Sequence, residues 1–264
     1  MRVKVNLRSE SVQEVPINYN YAVASAIYRR IMSVRPELGL HSRRDFKFFT
    51  FSRLLSKDYE VKGDKLRMRG CHFFFSSPDA EIVSAFVEGI LEEPEFRIAG
   101  ANFVVERVEA LRTPKIESEV TFETLSPIVV RTVVEIEGRR RTWDLYPSER
   151  KFYENLRRNL LRKYEAFYGE LPGDEFEIEV LEVTKLPRVR VKNTWHRSTM
   201  MRFVARGEPP LLKFGYEAGF GEKNAMGFGM VEVVKPDVKT GRKPKSPPRR
   251  PSHEGAPTSR RRPA

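Results

Sequence analysis

What most restricts the fold of this chain is one order of hydrophobic periodicities that occurs twice. Met1 to Leu7 alternates Val3, Val5 and Leu7 with Arg2, Lys4 and Asn6, the period-two pattern of a half-buried strand. From Tyr19 to Val34 the spacing becomes helical, with Val23, Ile27, Ile31 and Val34 on one face. Pro36 ends this helix by disfavouring helical backbone at Arg35. Strand patterns return at Lys47 to Leu54, at Tyr59 to Met68 with a turn at Gly63-Asp64, and at Cys71 to Ser76. Ser77-Pro78-Asp79 offers a capping hydroxyl, a first-turn proline and an acid, which predicts a second helix with Ile82, Phe86 and Ile90 inward. Phe96 to Ile98 and Phe103 to Leu111 close the unit. Strand, helix, two strands, helix, strand is the split βαβ, or ferredoxin-like, arrangement.

After Thr113-Pro114 the order restarts. Val120 to Phe122 and Ile128 to Ile136 read as strands, with a turn at Gly138 into Arg139-Arg140-Arg141. A long helix is expected from Ser148 to Phe167, striped by Phe152, Leu156, Leu160, Tyr164 and Phe167. Strands follow at Phe176 to Val183, Arg188 to Val191, Arg202 to Ala205 and Met230 to Val234. The second helix of this unit is expected to be short or replaced around Pro209 to Lys213. The fold class is therefore α+β, with two tandem ferredoxin-like domains at residues 1–112 and 113–235. Residues 236–264, rich in Pro, Ser, Lys and Arg without apolar periodicity, are expected to be a disordered basic tail.

The net charge of +12 calls for an acidic partner, and nine basic against two acidic residues in the tail supply +7 of it. A single cysteine, Cys71, excludes an internal disulfide and a cysteine-based metal cage; in an apolar strand it reads as buried and inert. No signal peptide opens the chain and no apolar run is long enough for a membrane span, so a soluble, cytoplasmic protein is expected.

Lys213 to Met230 (KFGYEAGFGEKNAMGFGM) holds five of the sixteen glycines, interleaved with Tyr216, Phe220, Phe228, Lys213 and Lys223. Glycines permit close backbone approach, and amides between them can form an anion site. Gly219 and Gly221 fit the start of G-x-G-x-x-G, but Asn224 occupies the third position and no P-loop occurs, so nucleotide fingerprints fail. None of the four histidines, His41, His72, His196 and His253, is at metal-ligand spacing from another or from Cys71. His41 differs from the others: it lies in a polar loop after the helix bearing Tyr28 and before the strand opening at Lys47. A phenol, an imidazole and an ammonium thus reach one edge of the first unit. Attack of an RNA 2′-hydroxyl on the adjacent phosphate needs a base, an acid and positive charge, which these groups can supply without a metal or cofactor.

Several segments carry a family resemblance: GFGEKNAMGFGMVEVV, IYRRI, HSRRDFKFFTFS, TLSPIVV and SERKFYENLRRNLLRKY. Over Met1 to Val234 the chain resembles the CRISPR-associated endoribonucleases that process repeat RNA, the sixth Cas family, in its archaeal form. The resemblance implies metal-independent cutting of precursor RNA within each repeat, leaving a 2′,3′-cyclic phosphate. It implies a catalytic group at Tyr28, His41 and Lys47. RNA is expected across Lys213, Gly219, Gly221, Lys223 and Asn224, with Arg43, Arg44, Arg188 and Arg190 as further contacts. Effector-complex subunits and a second copy of the chain are candidate protein partners. Two rival readings remain open: a repeat-binding protein that delivers RNA to an effector complex, and a general RNA-binding protein of the tandem recognition-motif type. The second is only faintly echoed by Gly70 to Phe75 (GCHFFF).

Overall fold

A computed structural model describes residues 1–40 and 46–234. His41, Arg43, Arg44 and the expected disordered tail lie outside the described residues. The first unit runs β1 (Arg2–Pro16), α1 (Asn20–Val34), β2 (Thr50–Phe51), β3 (Tyr59–Lys62), β4 (Lys65–Ser76), α2 (Ala80–Glu92), β5 (Glu95–Ile98) and β6 (Ala101–Leu111). Its antiparallel sheet has the order β2-β4-β1-β6-β5, with β3 paired to β4 at the expected Gly63-Asp64 turn. The first four strands of that order give the ferredoxin-like sheet, and β5 adds an edge.

Alternation decides which face is buried. Val3, Val5 and Leu7 of β1 point the same way as Cys71, Phe73 and Phe75 of β4, onto the stripes of α1 and α2. Where α1 crosses α2, Gly89 lets the helices meet; a Cβ there would lie 2.8 Å from the Arg30 Cβ. Arg30 is itself buried, with its guanidinium 4.5 Å from the centre of the Phe96 ring and bonded to the Glu93 and Glu95 carbonyls.

Three local expectations change. β1 continues past Leu7 to Pro16, because a register shift between Arg8 and Gln13 breaks the alternation without ending the pairing. The expected strand at Lys47 to Leu54 shrinks to β2. Ser52 and Leu55 still bond toward β4, but the Arg53 amide crosses to the Leu125 carbonyl of the second half. Asp79, not Ser77, caps α2, accepting a 2.9 Å bond from the Glu81 amide; the Ser77 hydroxyl donates to the Phe48 carbonyl instead.

The second unit runs β7 (Glu119–Thr124), β8 (Val130–Ile136), β9 (Arg139–Leu145), α3 (Arg150–Tyr168), β10 (Phe176–Lys185), β11 (Arg188–Val191), β12 (Thr194–Arg197), β13 (Met200–Gly207), α4 (Pro209–Ala218) and β14 (Val231–Val233). Its sheet order, β10-β13-β7-β14, repeats the first, with hairpins β8–β9 and β11–β12 set apart from it. The second helix is neither replaced nor as short as expected. α4 takes in Lys213 to Ala218, so the first third of the glycine-rich stretch is helix. Among the described residues no helix is long and apolar enough to cross a membrane.

The two halves are joined through groups that read as solvent-facing in sequence. Arg2, on the polar side of β1, is buried; its guanidinium lies 3.7 Å from the centre of the Tyr216 ring and donates 2.8 Å bonds to the Tyr216 and Val231 carbonyls. The N-terminal ammonium meets Glu217 at 2.8 Å. Asn20, at the start of α1, donates to the Met226 carbonyl.

Candidate functional site

A cleft of about 810 Å³ lies where the two halves meet. Its walls are Tyr28 on α1, residues 46–49, β8, the exposed side of α3 and the chain from Ala218 to Met226. Among the described residues the lining includes Lys47, Arg131, Arg158, Arg162, Lys163 and Lys223 against one carboxylate, Glu222, so its field favours a polyanion.

Tyr28 and Lys47, expected from the sequence to share an edge, line this cleft together. Tyr28 is 8% exposed, its ring edge-on to Phe49 at 5.4 Å between centroids. Burial pushes its phenol up to about 12, so it holds its proton at neutral pH and can donate.

The glycine-rich stretch divides in its roles. Gly221, Lys223 and Asn224 line the cleft. Gly219 lies behind them at φ +87, its carbonyl accepting from Lys163. Lys213 is on α4, away from the cleft lining, and pairs with Glu217 at 3.6 Å. The aromatic residues are core: Tyr216, Phe220 and Phe228 are all buried, with Phe220 packed against Phe122, Phe176 and Phe203. Much of the glycine content answers to the protein's own packing. A Cβ at Gly229 would overlap the Phe220 carbonyl oxygen, and one at Gly227 would lie 2.5 Å from the Phe51 ring.

Arg188 and Arg190 are exposed on β11 outside the cleft, and the Arg190 amide bonds Asn18 of the first half at 2.9 Å. His196 is buried edge-on to Phe228, 3.7 Å from Asp144. Among the described residues no group of three or more His, Cys, Asp or Glu could hold a metal ion.

Sequence reasoning missed the groups beneath and beside the loop. Lys163 of α3 is buried at 2% exposure, and its ammonium donates to the carbonyls of Gly219 and, at 3.2 Å, Gly221, and to Asn224 Oδ1 at 3.0 Å. Burial pulls this ammonium down to about 7, with Glu222 opposing. Glu222 pairs with Arg131 of β8. Burial, then the Arg131 charge, also lowers the Lys223 ammonium, against Glu222 and Asp144. One signal for Lys163 was present: it stands three residues after Leu160 and seven after Leu156, on the apolar stripe of its helix.

Comparison with known proteins places the chain in a family. Residues 14–109 match the family described as CRISPR-associated protein Cas6, N-terminal, and residues 111–233 match CRISPR associated protein Cas6, C-terminal. The chain belongs to the Cas6 family. A relative named CRISPR-associated endoribonuclease Cas6 1, from Methanocaldococcus jannaschii, is 41% identical over 89% of this chain and 93% of its own. A solved Cas6-related protein from Pyrococcus furiosus superposes with a TM-score of 0.83 at 36% identity, covering 89% of this chain and 98% of that one. Another, described as a RAMP protein binding different RNA substrates, gives 0.82 at 36% identity, covering 89% and 100%. The Cas6 matches span both sheets and both walls of the cleft.

Proposed function

We propose that this chain is an endoribonuclease that cuts CRISPR precursor RNA within its repeats, using the cleft between the two sheets. The observation that carries the reading is that Tyr28 and Lys47, singled out as chemistry-bearing residues, line the same basic cleft as Gly221 to Asn224. The relatives named as endoribonucleases of this family support it.

In this reading the RNA 2′-hydroxyl attacks the adjacent phosphate and the 5′-oxygen leaves, giving a 2′,3′-cyclic phosphate and a 5′-hydroxyl. His41 takes the 2′-hydroxyl proton. Tyr28, a phenol that keeps its proton, donates to the leaving oxygen or orients the phosphate. Lys47 faces the charge that develops on the phosphorane. These three groups cover the proton transfers and the charge, so the reaction proceeds without a metal ion. Cleavage in EDTA tests this, with repeat RNA from the host's own array beside the same RNA carrying a 2′-deoxy nucleotide at the cut. Cutting of the all-RNA strand alone supports the proposal. Tight binding of both without cutting favours a repeat-delivery protein, and indifference to repeat sequence favours a general RNA-binding protein.

A further inference from the structure

Among the described cations that line the cleft, Lys163 is the buried one. Its three ammonium protons have three acceptors, the Gly219 and Gly221 carbonyls and Asn224 Oδ1, and all three are uncharged. Asn224 then uses its amide nitrogen to hold the Phe220 carbonyl at 3.1 Å and the Phe228 carbonyl at 3.0 Å. One ammonium and one carboxamide therefore gather the loop's oxygens inward, beneath the residues that face the cleft. The nearest carboxylate influence, Glu222, is committed to Arg131. Among the described residues the other charged groups lining the cleft, Lys47, Arg158, Arg162 and Lys223, are cations and make the ammonium less favourable.

A buried cation with only neutral acceptors is poorly compensated. A phosphate in the cleft would supply the missing negative charge. We propose that Lys163 is a positioning residue: its buried ammonium locks Gly219, Gly221 and Asn224 in the conformation that receives RNA, and the RNA phosphate balances its charge. This rests on the RNA-processing reading above. The linkage has a definite sign. Burial leaves the ammonium near half-protonated around pH 7 without RNA, and an added anion raises its proton affinity. RNA binding should then take up a proton, and affinity should fall as pH rises above 7. Arginine at this position stays charged throughout, so it removes that dependence.

The experiment measures binding of the 2′-deoxy repeat RNA between pH 6.5 and 8.5 for wild type, K163R and K163M, with single-turnover cutting of the all-RNA repeat as the companion readout. Over that range wild type should lose about tenfold more affinity than K163R. K163M should bind at least about tenfold more weakly at pH 6.5, the loss expected for roughly one charge-assisted hydrogen bond. Equal pH slopes for wild type and K163R overturn the proposal, and so does a folded K163M that binds as wild type does. If K163M does not fold, the comparison of wild type with K163R decides. A wild-type protein that neither binds nor cuts the repeat overturns the RNA reading itself; one that cuts normally while the slopes coincide overturns only the role of Lys163.

Discussion

The Thr50 hydroxyl donates a 2.9 Å hydrogen bond to the carbonyl of Phe228, joining β2 of the first unit to the glycine-rich segment of the second. The same carbonyl accepts from Asn224, which Lys163 holds, so one chain of bonds runs from α3 through the loop to the first sheet. Thr50→Val keeps the shape and removes the donor. With Asn224 still bonded to the carbonyl, the loss should be about 0.5–1.5 kcal/mol. Calorimetry should show the midpoint falling by a few degrees; an unchanged midpoint would mean that this bond adds nothing.

Gly229 and Gly63 separate packing from backbone strain. Both have positive φ, +78° and +60°, but a Cβ at Gly63 meets nothing within 4 Å, whereas one at Gly229 overlaps the Phe220 carbonyl. Gly63→Ala should cost about 1–2 kcal/mol, the left-handed penalty alone. Gly229→Ala should cost clearly more. Chemical denaturation of the two variants side by side checks the order, and a reversed order would refute the packing account.

Tyr28→Phe keeps the ring against Phe49 and deletes the hydroxyl. Under the proposed mechanism single-turnover cleavage should slow by about 10²–10⁴ with RNA affinity little changed. His41→Ala should have a comparable effect on rate. Cleavage by either variant at the wild-type rate removes that residue from the chemistry.

Burial pushes the Cys71 thiol up to about 12. The reactive thiolate is therefore scarce at pH 8 in the folded chain. Iodoacetamide should leave the native protein unmodified and label it fully in denaturant. Rapid native labelling would show that the strand bearing Cys71 opens.

Lys163 also sets a pH trend in stability. Its folded value of about 7 lies below the ordinary 10.5, so between these limits the unfolded chain holds more proton than the folded one. Stability from this group therefore rises as pH increases from 7 towards 10, and the burial penalty is fully felt below 7. Relative to K163M, wild type should gain stability over that window. A difference that stays flat with pH would show that the ammonium is not the titrating group.

The order of elements was legible because helical and strand periodicities are local. Tyr28 on α1 and Lys47 after it could be placed at one edge of the first unit from that order alone. The length of β1 was not legible, since a register shift depends on what β4 does opposite it. α4 was under-read because Phe214, Gly215 and Tyr216 suggest a loop, although Leu211, Leu212 and Phe214 pack into the second core.

The glycine-rich stretch shows the same division most clearly. Its glycines and lysines were enough to suggest a polyanion site, and its resemblance to a known signature suggested the family. Tertiary structure decided that its aromatic residues are core, that Gly227 and Gly229 make room for Phe51 and the Phe220 carbonyl, and that Lys213 belongs to α4 rather than to the cleft. It also decided the burial of Arg2 and Lys163. Sequence by itself determined two ferredoxin-like units, because their elements follow from spacing along the chain. Which charged groups are buried, and which oxygens they hold, depends on contacts between residues more than fifty positions apart, as from Lys163 to Gly219. Only the folded chain brings those together.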